Sequence, residues 1–317
     1  MGVAYSWQIA QFLFKEETSE GTAVSLGNDD AGIPILADPD VDPGIGFQPR
    51  NAISTIAGSF QGAAGGLKVG KFRIRVPLVG SGTAGTAPIW RLLLMNGGFT
   101  EVDGASNVVY AYLASAWGTT KTATCALNCN GLEYKLHGAR VKSMRLVAAL
   151  GEAPILEAEI WGAHNVPTNV AHSTSTYPAG KWEAFAGTTG TFTYDSVTHE
   201  TSKLEIDIEN VCTPRPKAGL ASNVFSVHGG PGSITASIDP TTDAVATYEF
   251  QTKMIANTEA ALAAVMGSTA GSILSIAAGK AQIISVKPSR REHTAIDEIG
   301  LAFNQNSTTG CLVLTLT

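Results

Sequence analysis

The sequence has few charged residues, few cysteines and no long apolar run, and each shortage argues against a class of protein. Charged side chains make up 15% of the 317 residues, and 27 Asp and Glu against 21 Lys and Arg give a net charge of −6. A chain with 44% hydrophobic residues and so little charge is not typical of disorder. An acidic chain also lacks the basic surface that holds nucleic acid regardless of its sequence. The sequence has no run of about 20 apolar residues, so no membrane span is expected.

The four cysteines, Cys125, Cys129, Cys212 and Cys311, are too few for a fold built on disulfides. The N-terminus lacks the basic and then apolar stretches of a secretory signal. We therefore expect a soluble protein made in a reducing cytoplasm. Cys125 and Cys129 are spaced as two metal ligands could be, but structural zinc needs four ligands, usually in two close pairs. Two core cysteines on one strand face are the favoured interpretation.

Glycine and short alternating runs are what the sequence has in abundance. The 34 glycines and the recurring Thr, Ser, Val and Ile favour many short strands and turns. In 71–78, apolar residues at 72, 74, 76 and 78 alternate with Lys and Arg, as in a half-buried strand. The same pattern predicts strands at 122–129, 132–148, 155–161, 203–210, 223–228, 233–238, 247–254, 272–277, 281–286 and 298–303.

Two short helices are predicted, at 86–96 and at 258–266. For the first, Thr83 or Thr86 is the expected cap, and Gly97 or Gly98 ends it. For the second, Asn257 is the expected cap and Gly267 the end.

The two helices lie in halves of the chain that share an order of elements. Each helix follows an alternating strand, and each half also contains a hairpin-like pair, which indicates a diverged duplication. We predict a mainly β fold with tandem domains at 51–163 and 191–317, each with one short flanking helix. A Pro/Asp/Gly-rich arm, 1–50, precedes them, and a Pro/Gly/Ser/Thr-rich linker, 164–190, joins them.

No motif gives a positive reason to propose an enzyme. The run Gly-Ser-Gly-Thr-Ala-Gly at 80–85 lacks the following Gly-Lys-Ser/Thr of a phosphate-binding loop, so a turn before a helix is favoured. The charged segment 290–294 contains His293, but a solvated or interface loop is favoured over an acid–base cluster. Neither Gly-x-Ser-x-Gly nor His-Glu-x-x-His occurs. We assign no catalytic, cofactor-binding or metal-binding residue.

The most informative strand is 203–210. Leu204, Ile206 and Ile208 alternate with three acids, which must share the opposite face. Like charges at this spacing repel, so that face must be well solvated. Two interpretations stay open: an ordinary exposed sheet face, or the inner wall of a water-filled channel that keeps polyphosphate from sticking.

An ordered set of motifs resembles the major tail tube proteins of long-tailed phages, the siphoviruses. The segment Glu17-Thr-Ser-Glu-Gly-Thr is similar to the family's Glu-Thr-x-x-Gly-Thr. The segment 79–98 resembles a Gly-Ser-Gly … Pro … Leu-Leu element, with Asn96-Gly97 where the family often has Cys or Ala. Further similar segments follow the chain at 50–58, 136–141, 151–156, 204–211, 232–236 and 271–288.

The resemblance implies a structural role without a cofactor. The protein would form stacked rings whose inner strands join into one β-barrel, and each domain would be a tail-tube-like barrel or sandwich. With two such domains per chain, three copies in a pseudo-sixfold ring are favoured over a hexamer. Stacking would use 1–50, 97–120 and 164–190.

The implied partners are further copies of the chain, a tape-measure protein in the lumen, and terminator and tip proteins at the ends. DNA would pass without specific binding. The location would be the virion, after assembly in the bacterial cytoplasm. The alternatives are another tail or virion component, such as a terminator, and a β-sandwich binding module.

The tube hypothesis assigns side chains to the lumen. In the second half they are Glu205, Asp207 and Glu209; in the first half they are Thr122, Thr124, Asn128 and Asn130. The apolar faces, with Cys125, Leu127 and Cys129 in the first half, would pack outward toward the two helices. The alternative placement turns Lys71, Arg73 and Arg75 inward, paired with neighbouring carboxylates.

Overall fold

A computed structural model of the protein describes residues 10–30, 32–36, 39–50, 60–118, 121–174, 177, 180, 183, 185, 191–243, 248–306 and 310–317. The described residues form nineteen strands and two α-helices. The elements from residue 10 to residue 164 are β1 (Ala10–Glu16), β2 (Asp40–Asp42), β3 (Gly46–Arg50), β4 (Phe60–Gly65), β5 (Val69–Pro77), α1 (Arg91–Asn96), β6 (Phe99–Asp103), β7 (Val108–Tyr112), β8 (Ala123–Cys129), β9 (Leu132–Ala149) and β10 (Ile155–His164). The later elements are β11 (Thr168–Asn169), β12 (Thr191–Tyr194), β13 (Val197–Thr198), β14 (Thr201–Pro216), β15 (Val224–Pro240), α2 (Phe250–Ile255), β16 (Glu259–Met266), β17 (Leu274–Arg291), β18 (Thr294–Phe303) and β19 (Val313–Leu316).

The fold is mainly β, as the sequence predicts. Seventeen strands belong to one large antiparallel sheet that is not closed into a barrel, and β3 and β4 form a separate hairpin. Among the described residues, no helix has the length and apolar character to cross a membrane.

Eight strands of the large sheet form a continuous array, named the central sheet. Its order is β2-β5-β10-β9-β14-β15-β18-β17. The first four strands come from the first half of the chain and the last four from the second. The two halves meet where β9 pairs with β14, from Ser143↔Glu209 to Ala149↔Lys203; this contact is named the internal junction.

The two halves repeat one pattern of strand pairing. In the first half β1 pairs with β8, β8 with β9, β9 with β10, β10 with β5, and β5 with β2. In the second half β12 pairs with β16, β16 with β17, β17 with β18, β18 with β15, and β15 with β14. The elements match in length: β9 and β17 have 18 residues, β10 and β18 have 10, and both helices have six. Division of the chain into two domains stays a prediction.

Each long strand has one extra residue at the same place in the pattern. Lys142 of β9 lies opposite the step from Glu159 to Ile160. Ile284 of β17 lies opposite the step from Gly300 to Leu301. Such bulges bend a strand and increase its twist. The coincidence fixes a residue-by-residue alignment of the two halves.

Several predicted strands are confirmed, because clean alternation places one face on the core. In β5, Phe72, Ile74 and Val76 are buried, while Arg73 and Arg75 are exposed. In β14, Leu204, Ile206 and Ile208 are buried in the same core. The predicted strands 223–228 and 233–238 are parts of one strand, β15, and 272–277 and 281–286 are parts of β17.

The second predicted helix is wrong, and so is the strand predicted before it. Residues 259–266 form β16, in which Ala260, Leu262, Ala264 and Met266 are buried and alternate with more exposed residues. The helix lies at Phe250–Ile255, where the carboxylate of Glu249 accepts hydrogen bonds from the first backbone N–H groups. Asn257 has a φ of 53° and follows the helix instead of capping one.

The first helix is shorter than predicted. It spans six residues, Arg91–Asn96, with no side-chain cap at its start. Gly97 ends it, as expected, and donates its N–H to the carbonyl groups of Leu93 and Leu94.

The prediction of an arm without a core pattern is wrong for residues 10–16. Strand β1 pairs with β8, and Phe12, Leu13 and Phe14 are buried. Residues 1–9 of the predicted arm, and 51–59 of the first predicted domain, lie outside the described residues.

Two predicted loops contain structure. Segment 97–120 includes the hairpin β6–β7, which pairs with β19. In the predicted linker, β11 pairs with β9, and buried Phe185 forms a bridge with Leu150. Most of 175–190 lies outside the described residues.

Candidate functional site

One face of the central sheet carries charged side chains of alternating sign. Along one row of partners, Arg75, Glu157, Arg145 and Asp207 lie side by side on β5, β10, β9 and β14. Arg75 Nη2 is 2.7 Å from Glu157 Oε1, and Arg145 Nε is 3.5 Å from Asp207 Oδ1. Opposite charges on neighbouring strands stabilise a sheet modestly. Because the sign alternates along the row, each charge lies next to charges of the opposite sign.

A second row runs parallel to the first. Asp40, Arg73, Glu159, Ser143 and Glu209 follow one another across β2, β5, β10, β9 and β14. Arg73 contacts both of its neighbours, with Nη1 3.1 Å from Asp40 Oδ2 and Nε 2.8 Å from Glu159 Oε2. Around these rows lies a cleft of about 410 Å³.

At the internal junction, basic side chains of β9 meet the acidic face of β14. Arg145 Nη2 lies 2.6 Å from Glu205 Oε2, and Lys142 Nζ lies 3.0 Å from Glu209 Oε2. Glu205 also binds Lys203 within its own strand, at 2.5 Å. Each acid of β14 therefore has a cation within ion-pair distance.

The pKa values at the junction follow from burial and these contacts. Burial raises the pKa of the Glu205 carboxyl, but hydrogen bonds from Lys203 and Arg145 outweigh burial and leave it below its usual value. The pKa of Asp207 is raised, chiefly by burial and then by the negative charges of Glu205 and Glu209, against the opposing effect of Arg145. The hydrogen bond to Glu205 raises the pKa of Arg145.

The whole face, named the charged face, has nearly balanced charge. In the part of this face formed by β2, β5, β10, β9 and β14, the ion pairs among the described residues involve seven acids and six bases: Asp40, Asp42, Glu157, Glu159, Glu205, Asp207 and Glu209, with Lys71, Arg73, Arg75, Lys142, Arg145 and Lys203. The opposite face is apolar because the intervening residues, such as Ile74, Met144 and Ile208, are buried in the core.

The two sequence-based placements of charge are therefore not alternatives. Glu205, Asp207 and Glu209 lie on the same sheet face as Lys71, Arg73 and Arg75, since the rows of partners connect them. The sequence pattern of β14 alone does not show which cations lie opposite its acids. Whether this face lines a lumen stays a prediction.

The polar residues assigned in the first half do not form an open face. Thr122, Thr124 and Asn128 are buried. The two threonines donate to the carboxylate of Glu17, and Asn128 donates to the carbonyl of Val170. Their placement on an exposed channel wall is therefore wrong in this chain, because its own segments cover them. Asn130 is exposed at a turn, with a φ of 51°.

A buried carboxylate, Glu17, holds the N-terminal segment on the sheet. It accepts hydrogen bonds from both threonines and from the N–H groups of Gly21 and Gly138, at 2.6–2.9 Å. Gly21 has a φ of 68°, and a Cβ there would lie 2.5 Å from the Phe225 carbonyl oxygen. Sequence reasoning did not find this site. The one available sign was the Glu-Thr-x-x-Gly-Thr resemblance, which begins at Glu17.

Cys125 and Cys129 are free thiols in the hydrophobic core, as the strand pattern predicts. Burial raises the pKa of the Cys129 thiol to about 11. Within the described part of the chain, no three His, Cys, Asp or Glu side chains form a group that could hold a metal ion.

The repeated pairing pattern of the central sheet and the charged face on it are the structural basis for assigning a function to this chain. A search against protein-family models and a search of curated proteins both found no match.

Proposed function

We propose that the chain is the structural subunit of a phage tail tube. Three copies would form a ring with pseudo-sixfold symmetry, and rings would stack into a hollow tube that conducts DNA. The observation that carries this proposal is the repeated four-strand pairing pattern, which gives each chain two equivalent parts of one sheet with a charged face and an apolar face.

An open sheet of this kind needs partners at its edges. The central sheet ends at β2 on one side and at the outer part of β17 (284–291) on the other, since β16 and β19 pair with the inner part of β17. Unpaired edges favour pairing with another chain. Cyclic assembly pairs every edge. Because each chain supplies two repeats, three chains supply six, and the ring becomes pseudo-sixfold.

The charged face suits the wall of a channel for DNA. Each arginine and lysine on it is already within ion-pair distance of a carboxylate, so a phosphate would have to displace an existing partner. Affinity for DNA comes largely from cations that neutralise phosphates and release counterions. A wall of paired charges offers few such cations, and DNA slides past without being held.

The remaining partners follow from a tube. A tape-measure protein would occupy the lumen during assembly, terminator and tip proteins would cap the ends, and contacts between rings would involve 1–50, 97–120 and 164–190. The completed tube would be part of the virion. The runner-up functions are a tail terminator, which forms rings without stacking them, and a β-sandwich binding module, which stays monomeric.

Electron microscopy of the purified protein tests the proposal. We expect tubes, with three subunits per ring in cross-section. Six identical subunits around the ring would exclude the trimer, and single rings at all concentrations would favour the terminator. A monomer at all concentrations, confirmed by sedimentation, would exclude the tube.

A further inference from the structure

We propose that neighbouring copies of the chain join by pairing the outer part of β17 (284–291) with β2 of the next copy, in the register of the internal junction. This inference rests on the proposed function, because it names the contact that closes the ring. The partner is a second copy of the same chain, and the internal junction shows what the contact looks like.

The bulges align the basic side of the two junctions. If Lys142 corresponds to Ile284, then Arg145 corresponds to Lys287, three residues further along each strand. The residues that pair with them on the next strand also correspond. Arg145 lies opposite Glu157, and Lys287 lies opposite Glu298, with Lys287 Nζ 3.4 Å from Glu298 Oε2. The outer part of β17 thus matches the part of β9 that meets β14.

The acidic side aligns from the same two bulges, through the strands that pair with β9 and β17. Glu159 of β10 and Gly300 of β18 are the residues just before the steps that lie opposite the two bulges. Glu159 lies opposite Arg73 of β5, and Gly300 lies opposite Ser237 of β15.

These two residues lie in turn opposite Asp40 and Glu205. The triplet Asp40-Val-Asp42 therefore corresponds to Glu205-Ile-Asp207. An acid, an aliphatic residue and an acid therefore occupy the matching positions of β2 and β14.

Transferring the internal register to the contact between copies gives three residue pairs. Asp207 lies opposite Arg145, so Asp42 should lie opposite Lys287 of the next copy. The pair Ile206↔Leu146 becomes Val41↔Pro288, and Glu205↔Val147 becomes Asp40↔Ser289. The charge match of the internal junction, basic against acidic, is kept in the contact between copies.

Exposure shows that this contact is unmade within one chain. Over 284–291, β17 pairs with β18 on one side, and the described strands offer it no partner on the other. The side chains of Lys287 and Asp40 are 77% and 57% exposed, whereas those of their counterparts Arg145 and Glu205 are 43% and 11% exposed. Asp42 and its counterpart Asp207 differ little, at 51% and 47%.

The edge carries a feature that selects among partners. Pro288 lies in the exposed part of β17 and has no backbone N–H, so this edge can donate fewer backbone hydrogen bonds to a partner strand than β9 can at the internal junction. Matched charges then favour the correct edge and register, because an incorrect partner or register places like charges next to each other.

Cysteine cross-linking tests the register. We expect a chain with Asp40→Cys, mixed with a chain with Ser289→Cys, to form a disulfide-linked dimer on oxidation, and neither chain alone to do so. A chain with both substitutions should give covalent species up to a trimer. The matched control pairs Asp40→Cys with Ser285→Cys, which lies four residues away along the same strand and is too far to link. The unsubstituted protein measures any linkage through its own thiols.

Charge reversal tests the complementarity. Lys287→Glu should weaken ring formation roughly tenfold, measured by sedimentation. Adding Asp42→Lys should restore it, and Lys217→Glu, on an exposed lysine elsewhere, should have no effect.

The outcomes separate the two proposals. If tubes or rings form but the Asp40–Ser289 pair links no better than the control, this junction is wrong and the proposed function stands. If the unsubstituted protein never assembles, the proposed function and the junction both fail.

Discussion

Arg145 and Asp207 lie opposite each other where the two halves of the chain meet, with Nε 3.5 Å from Oδ1. The same guanidinium lies 2.6 Å from Glu205. One residue of β9 therefore balances two carboxylates of β14. We expect the contact between the halves to depend on Arg145 more than on an isolated surface ion pair.

Replacing Arg145 by Gln should lower the free energy of unfolding by about 1–2 kcal/mol, because the nearly buried Glu205 loses a charged donor. Urea denaturation measures the change. The control is Arg75→Gln, whose ion pair is more exposed and should contribute about 0–1 kcal/mol. Equal losses in the two variants would show that the junction has no special role.

Acid should weaken the sheet through Glu205 and Glu159, whose pKa values are both below their usual range. A carboxyl with a lowered folded-state pKa stabilises the protein above its unfolded-state pKa of about 4.3, and this stabilisation is lost as the pH falls through the folded-state pKa. Asp207, with a raised pKa, acts in the opposite sense and offsets part of the loss. Urea denaturation between pH 5 and pH 3 should show a net decrease, and Arg145→Gln should make the decrease smaller.

Glu17→Gln should destabilise the protein by about 2–3 kcal/mol, because an amide cannot accept all four hydrogen bonds that the carboxylate accepts. Glu16→Gln, on the neighbouring and less buried residue, is the matched control and should change the unfolding free energy by less than about 0.5 kcal/mol. Limited proteolysis should cut the N-terminal segment faster in the Glu17 variant only.

Removing residues 1–45 should prevent cooperative folding, because it deletes β1 and uncovers the core side chains that Phe12 and Phe14 touch. Removing residues 1–9 leaves β1 intact and should preserve the thermal unfolding transition. Circular dichroism on heating distinguishes the two. A cooperative transition in the longer deletion would show that β1 is dispensable.

The sequence predicts strands well where polar and apolar residues alternate visibly, as in β5 and β14. It fails at β16, because Ala260 and Ala264 are buried while Ala261 and Ala263 are not, and alanine looks the same on both faces. The helix propensity of an Ala-rich run then gives the wrong answer, since strand pairing overrides it.

The candidate site was half visible in the sequence. The acids of β14 could be found because they alternate with aliphatic residues. Their cations could not, since Arg145 and Lys142 reach them only through the β9–β14 register, which is a tertiary contact. Glu17 was hidden for a related reason, because three of its four donors, Thr122, Thr124 and Gly138, lie far along the chain.

The bulges leave a trace that outlasts sequence identity. In an alternating run, core-facing residues are two apart, but across these extra residues they are three apart, at Val141 and Met144 and again at Ile283 and the partly buried Val286. Each strand has a second such step before it, at Leu136 and Ala139 in β9 and at Ala278 and Ala281 in β17. A genome could be searched for this pattern: two long alternating strands, each interrupted by two steps of three, each following a short helix and leading into a ten-residue partner strand. Distant relatives with this architecture would then be recognisable by the spacing of their core-facing residues, even where the residues themselves differ.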